Sequence, residues 1–201
     1  MSGLLEMLFG DETETIEQVR TQTGSDRKRA EQAYSAAAGT ILRGLEAKTQ
    51  SPEGADSIWE MLRKQVEKGN LPAEAPASGS GVQVRDMDPK AAHEILQAIF
   101  GKNAPEVQES FGKVITLDPA TSRKVLEKVL PAVLGGVFGA AENDPEDSPK
   151  ALPKILNDAR KEMEERQPRA ASIFEAILDQ NHDGKVDLED LAGIFAPKKP
   201  R

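Results

Sequence analysis

The chain has 201 residues, no cysteine, and a formal net charge of −8 from 26 basic and 34 acidic residues. The lack of cysteine excludes disulfides, thiolate metal sites and cysteine nucleophiles, and an acidic chain without a basic cluster is a poor partner for nucleic acid or anionic membranes. Apolar residues make up 38% and aromatic residues 4%, so the core must be built from Leu, Ile, Val and Ala, which favours packed helices.

The first part of the chain predicts four successive helices. A short apolar helix ends at Gly10, and acidic residues between Glu12 and Glu17 open a second. A third begins after an N-cap at Ser25 or Asp26, since both residue types can accept a hydrogen bond from the first helical turn. A fourth helix carries the apolar positions Ile58, Met61, Leu62 and Val66.

A segment rich in Pro, Ala, Gly and Ser interrupts this pattern. Gly69 to Gly81 reads GNLPAEAPASGSG, has no apolar periodicity and is typical of a flexible linker. Four helices are again predicted after it. The first ends at Gly101, the second has Pro105 in its first turn, and the third follows Asp118. The fourth carries the apolar positions Leu152, Ile155 and Leu156.

The two parts repeat each other at an offset of 92 residues, the separation of Asp26 from Asp118. Gly44 matches Gly136 at this offset. Seven apolar positions also coincide, with the spacing of one helix face: Ala33, Tyr34, Ala37, Ala38, Ile41, Leu42 and Leu45 match Val125, Leu126, Val129, Leu130, Val133, Leu134 and Val137. Such a run indicates a duplicated helical unit.

No stretch alternates like a strand, so the predicted fold class is all-α, with two repeated helical-bundle units and a C-terminal helix-loop-helix. We expect a first unit at residues 1–68, a flexible linker at 69–88, a second unit at 89–168, and the helix-loop-helix with its tail at 169–201. Gly135 and Gly139 form a small-xxx-small pair that suits close packing inside the bundle or a dimer contact.

The longest mostly apolar run, Val129 to Ala141, is too short to span a bilayer, and Pro131 interrupts it. No basic region precedes the short apolar patch at the N-terminus, so no signal peptide is predicted. We expect a cytoplasmic protein without a membrane span, with export by an unusual route left open.

Catalytic motifs are missing from the sequence. There is no Gly-rich phosphate loop and no HExxH, and the chain has only two histidines. His93 lies near a predicted helix start and is expected to be a half-exposed helix residue, because no second His or Cys could complete a site. The protein is therefore not expected to be an enzyme.

The C-terminal stretch DQNHDGKVDLED, residues 179–190, has the spacing of an EF-hand calcium loop. The six ligand positions, first, third, fifth, seventh, ninth and twelfth, are Asp179, Asn181, Asp183, Lys185, Asp187 and Asp190. Lys185 would contribute its backbone carbonyl, and Gly184 at the sixth place allows the sharp turn. Predicted amphipathic segments, Ala170 to Leu178 and Leu188 to Phe195, flank the loop.

Ca²⁺ is the predicted cofactor, since five acidic residues and one Lys give the loop a formal charge of −4. A metal-free turn is the alternative, because Asp and Asn also stabilise turns through their own backbone. Asp190 replaces the usual Glu, which gives the loop a dockerin-like character, and no second such loop is present. These departures predict weak affinity.

The segments LFG at 8–10, VLPAVLGGVFGA at 129–140 and LEDLAGIF at 188–195, taken with the acidic loop, resemble the YidB-like bacterial family of uncharacterised function. The resemblance spans Gly3 to Phe195 and implies an all-helical protein that ends in a DxDxDG-type loop. The long Pro/Ser linker and the high charge of the first unit depart from the family pattern. No catalytic residue is implied.

The function predicted from these features is that of a calcium-binding, non-enzymatic helical protein in which Ca²⁺ acts mainly as a structural clip. The alternative is a metal-independent scaffold or protein-interaction module. Partners other than Ca²⁺ would be a protein or a second copy of the chain.

Overall fold

Every element in the described part of the chain is a helix. The computed structural model describes Leu4, Leu8 and residues 13–71, 87–144 and 149–166. The helices are α1 (Thr13–Thr23), α2 (Arg27–Lys48), α3 (Pro52–Glu67), α4 (Pro89–Phe100), α5 (Ala104–Ile115), α6 (Pro119–Glu142) and α7 (Ala151–Arg166), with a 3₁₀ turn at Gly101–Asn103. The predicted all-α class is confirmed. Most of the predicted linker and the whole predicted helix-loop-helix lie outside the described residues.

The two long helices begin at the caps that the sequence predicts. The Asp26 carboxylate accepts a hydrogen bond from the backbone N–H of Arg29 at 2.9 Å, which decides between Ser25 and Asp26 as the cap of α2. The Asp118 carboxylate accepts from the backbone N–H groups of Ala120 and Thr121 at 3.0 and 3.1 Å. Hydrogen bonds from Thr121, by its side chain and then its backbone, hold the pKa of Asp118 below its usual value.

Helices α2 and α6 pack against each other at the centre of the molecule, and α1, α4, α5 and α7 each contact both of them. Close approach is possible because α2 presents the fully buried small side chains of Ala36, Ala37 and Ala38. One hydrophobic cluster contains apolar residues from both sides of the predicted linker. Leu71 and Met87, which border the segment 72–86, are themselves buried in that cluster.

Two glycines on the long helices allow other segments to come close. A Cβ on Gly44 of α2 would lie 2.6 Å from Cγ2 of Ile99 and would also collide with the Phe100 ring. A Cβ on Gly136 of α6 would lie 2.9 Å from Cδ2 of Leu8. Each glycine therefore receives a segment from the other half of the chain.

The larger aromatic side chains have packing roles. Tyr34 is buried and its hydroxyl donates a hydrogen bond to the backbone oxygen of Leu8 at 3.0 Å. Trp59 of α3 stacks on Phe138 of α6 with ring centroids 5.6 Å apart. Gly135 and Gly139 are buried within the chain, which agrees with their predicted role in bundle packing. None of the helices in the described ranges is long and apolar enough to cross a membrane.

Candidate functional site

The predicted calcium loop occupies residues 179–190. Its six ligand positions, Asp179, Asn181, Asp183, Lys185, Asp187 and Asp190, lie outside the described residues, and their role as ligands stays a prediction. Within residues 13–71, 87–144 and 149–166, no group of three or more His, Cys, Asp or Glu side chains is arranged to hold a metal ion.

The last described helix, α7, is firmly attached to the central pair. It contacts both α2 and α6, and its buried face consists of Ala151, Leu152, Leu156, Ala159 and Met163. Helix α7 ends at Arg166, and residues 179–190 begin thirteen positions later in the sequence.

A partly buried ion cluster strengthens this attachment. Glu46 of α2 is only 7% exposed and accepts hydrogen bonds from Arg43 at 2.6 Å and from Arg160 of α7 at 3.2 Å. A second nitrogen of Arg160 donates to Oδ1 of Asn157 at 3.0 Å. Removing one member of a buried ion group leaves the others uncompensated and is strongly destabilising. We therefore interpret the cluster as a positioning device for α7.

Sequence reasoning missed this cluster because Glu46 and Arg160 lie 114 residues apart. Helical periodicity reports neighbours three and four positions away, as in the contact between Arg43 and Glu46. The one available signal was a charged residue, Glu46, next to the apolar position Leu45 on the predicted buried face.

A cavity of about 360 Å³ lies between the turn that joins α1 to α2 and the turn that joins α5 to α6. Its lining residues come from these two turns and the first part of α2: Thr23, Gly24, Ser25, Arg29, Gln32, Ala33, Val114, Ile115, Thr116 and Leu117. None of them was predicted as a site residue, because the two turns are brought together only by the packing of α1 and α5 on the central pair.

The polar groups of the cavity fall into two sets. The hydroxyls of Thr23 and Ser25 are 2.7 Å apart and bond to each other. In contrast, the side chains of Arg29, Gln32 and Thr116 form no hydrogen bond or ion pair with any residue that the structure describes. The cavity thus offers a guanidinium, an amide and a hydroxyl beside the apolar side chains of its walls.

Thr116 has an unusual backbone. Its φ of 60° and ψ of 48° lie in the left-handed region, and it is the one non-glycine residue with positive φ in the described part of the chain. A β-branched residue is strained there. Gly24, 92 positions earlier, has a φ of 62° and adopts the same region without strain.

A pair of titratable groups, His93 and Glu127, lies between α4 and α6. His93 is half-buried, as predicted, with Nε2 3.2 Å from the amide nitrogen of Gln97. Burial raises the pKa of Glu127, an effect that Arg123, at 3.3 Å, and then His93 partly oppose. Neither His93 nor Glu127 lines the cavity, and we assign them a role in packing α4 on α6.

Comparison with known proteins places the chain in a family but not in a pathway. No curated protein matches it, and no solved structure does so either. Residues 6–140 match the family described as "Bacterial protein of unknown function (DUF937)". The match covers more than half of the 201 residues and ends before the acidic loop. The chain therefore belongs to this bacterial family of unknown function.

Proposed function

We propose that the protein is a non-enzymatic helical protein that binds Ca²⁺ through residues 179–190, with the ion acting mainly as a structural clip. The observation that carries this proposal is the order of side chains in the loop. Oxygen-bearing residues occupy the first, third, fifth, ninth and twelfth places, and Gly184 occupies the sixth. This order supplies the six to eight oxygen ligands that Ca²⁺ takes in a flexible cage.

The charge of the segment supports the same conclusion. A formal charge of −4 within twelve residues is self-repulsive without a cation. Mg²⁺ suits the loop less well because it demands near-ideal octahedral geometry and releases its water reluctantly. α7, the last described helix before the loop, is fixed to the core by Arg160 and by its apolar face.

Calorimetry and thermal unfolding test the calcium proposal. We expect one Ca²⁺ to bind with measurable heat, and the melting temperature to rise with Ca²⁺ and fall with chelator. At a free concentration of 100 times Kd, the ion adds about 2.7 kcal/mol to the free energy of unfolding. Asp179→Ala should abolish both effects, because it removes the first ligand.

Asp56→Ala is the matched control, since Asp56 is an exposed acid on α3 and far in sequence from the loop. It should bind Ca²⁺ as the wild type does. No heat on addition of Ca²⁺, together with identical melting curves for wild type and Asp179→Ala, would contradict the proposal. That outcome would favour the metal-independent scaffold, which light scattering would then detect as a concentration-dependent assembly.

We also infer that the two halves of the helical core are duplicated units. Three pairs at the same offset of 92 support this: the caps Asp26 and Asp118, the left-handed residues Gly24 and Thr116, and the contact glycines Gly44 and Gly136. In this proposal the core is a scaffold of two interlocked repeats that carries the calcium loop at its end.

A further inference from the structure

We propose that the cavity between the α1–α2 and α5–α6 turns is a binding site for a small aliphatic carboxylate. The guanidinium of Arg29 would hold the carboxylate, and the aliphatic side chains of the cavity would cover the alkyl chain. This site is independent of the calcium proposal, since it lies in the helical core and needs no metal.

The size and walls of the cavity set the class of ligand. Its volume of about 360 Å³ lies near the lower end of the range for small-molecule sites. Ala33, Val114, Ile115 and Leu117 provide the apolar part of the lining. A fully hydrated ion would leave this surface in contact with water, whereas an alkyl chain would bury it.

Arg29 decides the sign of the ligand's charge. The neighbouring Arg27 is neutralised by Glu31, with Nε 2.9 Å from Oε1. Arg29 has no such partner among the residues described, although the chain carries an excess of acidic groups. A guanidinium recognises a carboxylate through two parallel hydrogen bonds, and the unpartnered amide of Gln32 adds a further donor beside it.

Thr116 ends α5 as a left-handed C-cap, and its side chain lines the cavity. Gly or Asn would adopt its left-handed backbone with less strain. Strained residues of this kind cluster at ligand sites, where the surrounding structure holds them in place. Thr116 places an unpartnered hydroxyl at the cavity, and Gly24, in the opposite turn, contributes no side chain at all.

Titration of the full chain with sodium hexanoate tests the proposal by ¹H–¹⁵N correlation spectra. We expect saturable shifts of the amide signals of residues 23–33 and 114–117. Acetate, which lacks the alkyl chain, and hexylamine, which has the opposite charge, should bind at least tenfold more weakly. Inorganic phosphate binding as tightly as hexanoate would overturn the proposal in favour of a general anion site.

Three variants separate an effect on ligand binding from an effect on folding stability. Arg29→Gln should weaken hexanoate binding at least tenfold without lowering the melting temperature, because Arg29 is exposed. Arg27→Gln, two positions away and outside the cavity, should leave binding unchanged. Thr116→Gly should weaken binding while the melting temperature does not fall. Equal hexanoate affinity in wild type and Arg29→Gln, or no saturable shifts at all, would overturn the proposal.

Discussion

Glu127 shows how one half-buried carboxyl group makes stability depend on pH. Its side chain is 12% exposed, and burial raises its pKa despite the nearby Arg123, His93 and Lys124. The folded state therefore takes up this proton more readily than the unfolded state. The contribution of Glu127 to stability is fully present below the usual glutamate pKa of about 4.3, and it is lost as pH rises through the raised pKa.

The free energy of unfolding of Glu127→Gln, relative to that of wild type, should therefore increase as pH rises from 4 to 7. Glutamine stays neutral and so avoids the cost of burying a charge at neutral pH. The loss of the ion pair with Arg123 offsets this only weakly, since the Arg123 side chain is 54% exposed. Urea unfolding of both proteins at the two pH values measures the difference.

Glu109→Gln is the control with the opposite sign. Glu109 is exposed, and the hydrogen bond and charge of Lys113, at 2.7 Å, lower its pKa. Its contribution to stability is present above the usual glutamate pKa and is lost as pH falls through the lowered pKa. The stability of Glu109→Gln relative to wild type should therefore decrease as pH rises. The same pH trend in both variants would show that global charge, not burial, governs the response.

At the scale of helices, the glycines on α2 and α6 make a matched pair. Gly44→Ala should lower the free energy of unfolding by about 1–3 kcal/mol, the usual cost of overpacking, because the new Cβ meets Ile99 and the ring of Phe100. Gly136→Ala should cost less than about 1 kcal/mol. It meets the movable ends of Leu8 and Leu4, and alanine favours a helix by about 1 kcal/mol over glycine.

Chemical denaturation of the two variants measures this difference directly. Equal losses of unfolding free energy in Gly44→Ala and Gly136→Ala would show that Phe100 is as free to move as the leucine side chains. A stabilised Gly44→Ala would contradict the close crossing of α4 over α2.

The helices themselves follow from local sequence, because caps and apolar spacing act within one or two turns. Asp26 and Asp118 mark the starts of α2 and α6, Gly101 follows the end of α4, and the described helices match the predicted order. The contacts that join the helices do not follow from local sequence. The crossing at Gly44 and the Glu46–Arg160 bond connect residues 55 or more positions apart in sequence, which periodicity cannot report.

The two candidate sites differ in the same way, since one is a local motif and the other is assembled by packing. The calcium loop is a contiguous motif, so the sequence alone predicts its ligands residue by residue. The cavity is assembled from two turns that lie about 90 positions apart, and only packing reveals it. Thr116 could not be singled out beforehand, since threonine is the wrong residue type to predict a left-handed backbone.

At the scale of the whole molecule, the shared core determines how the two halves unfold. Apolar residues from both halves belong to one cluster, Leu8 and Gly136 touch across the halves, and so do Gly44 and Ile99. Neither half can then expose its core without disturbing the other. We therefore expect the helical core to unfold in a single cooperative transition.

Trp59, the one tryptophan of the chain, makes this expectation measurable, because it lies on α3 in the first half and stacks on Phe138 in the second. In urea, Trp59 fluorescence and circular dichroism at 222 nm should give coincident midpoints. Ile95→Val, a buried change on α4 in the second half, should lower stability by about 0.5–1.5 kcal/mol and shift both signals equally. A shift of the circular dichroism midpoint without a shift of the fluorescence midpoint would mean that the halves unfold independently. Only a shared core transmits the loss of a methylene group on α4 to the surroundings of Trp59.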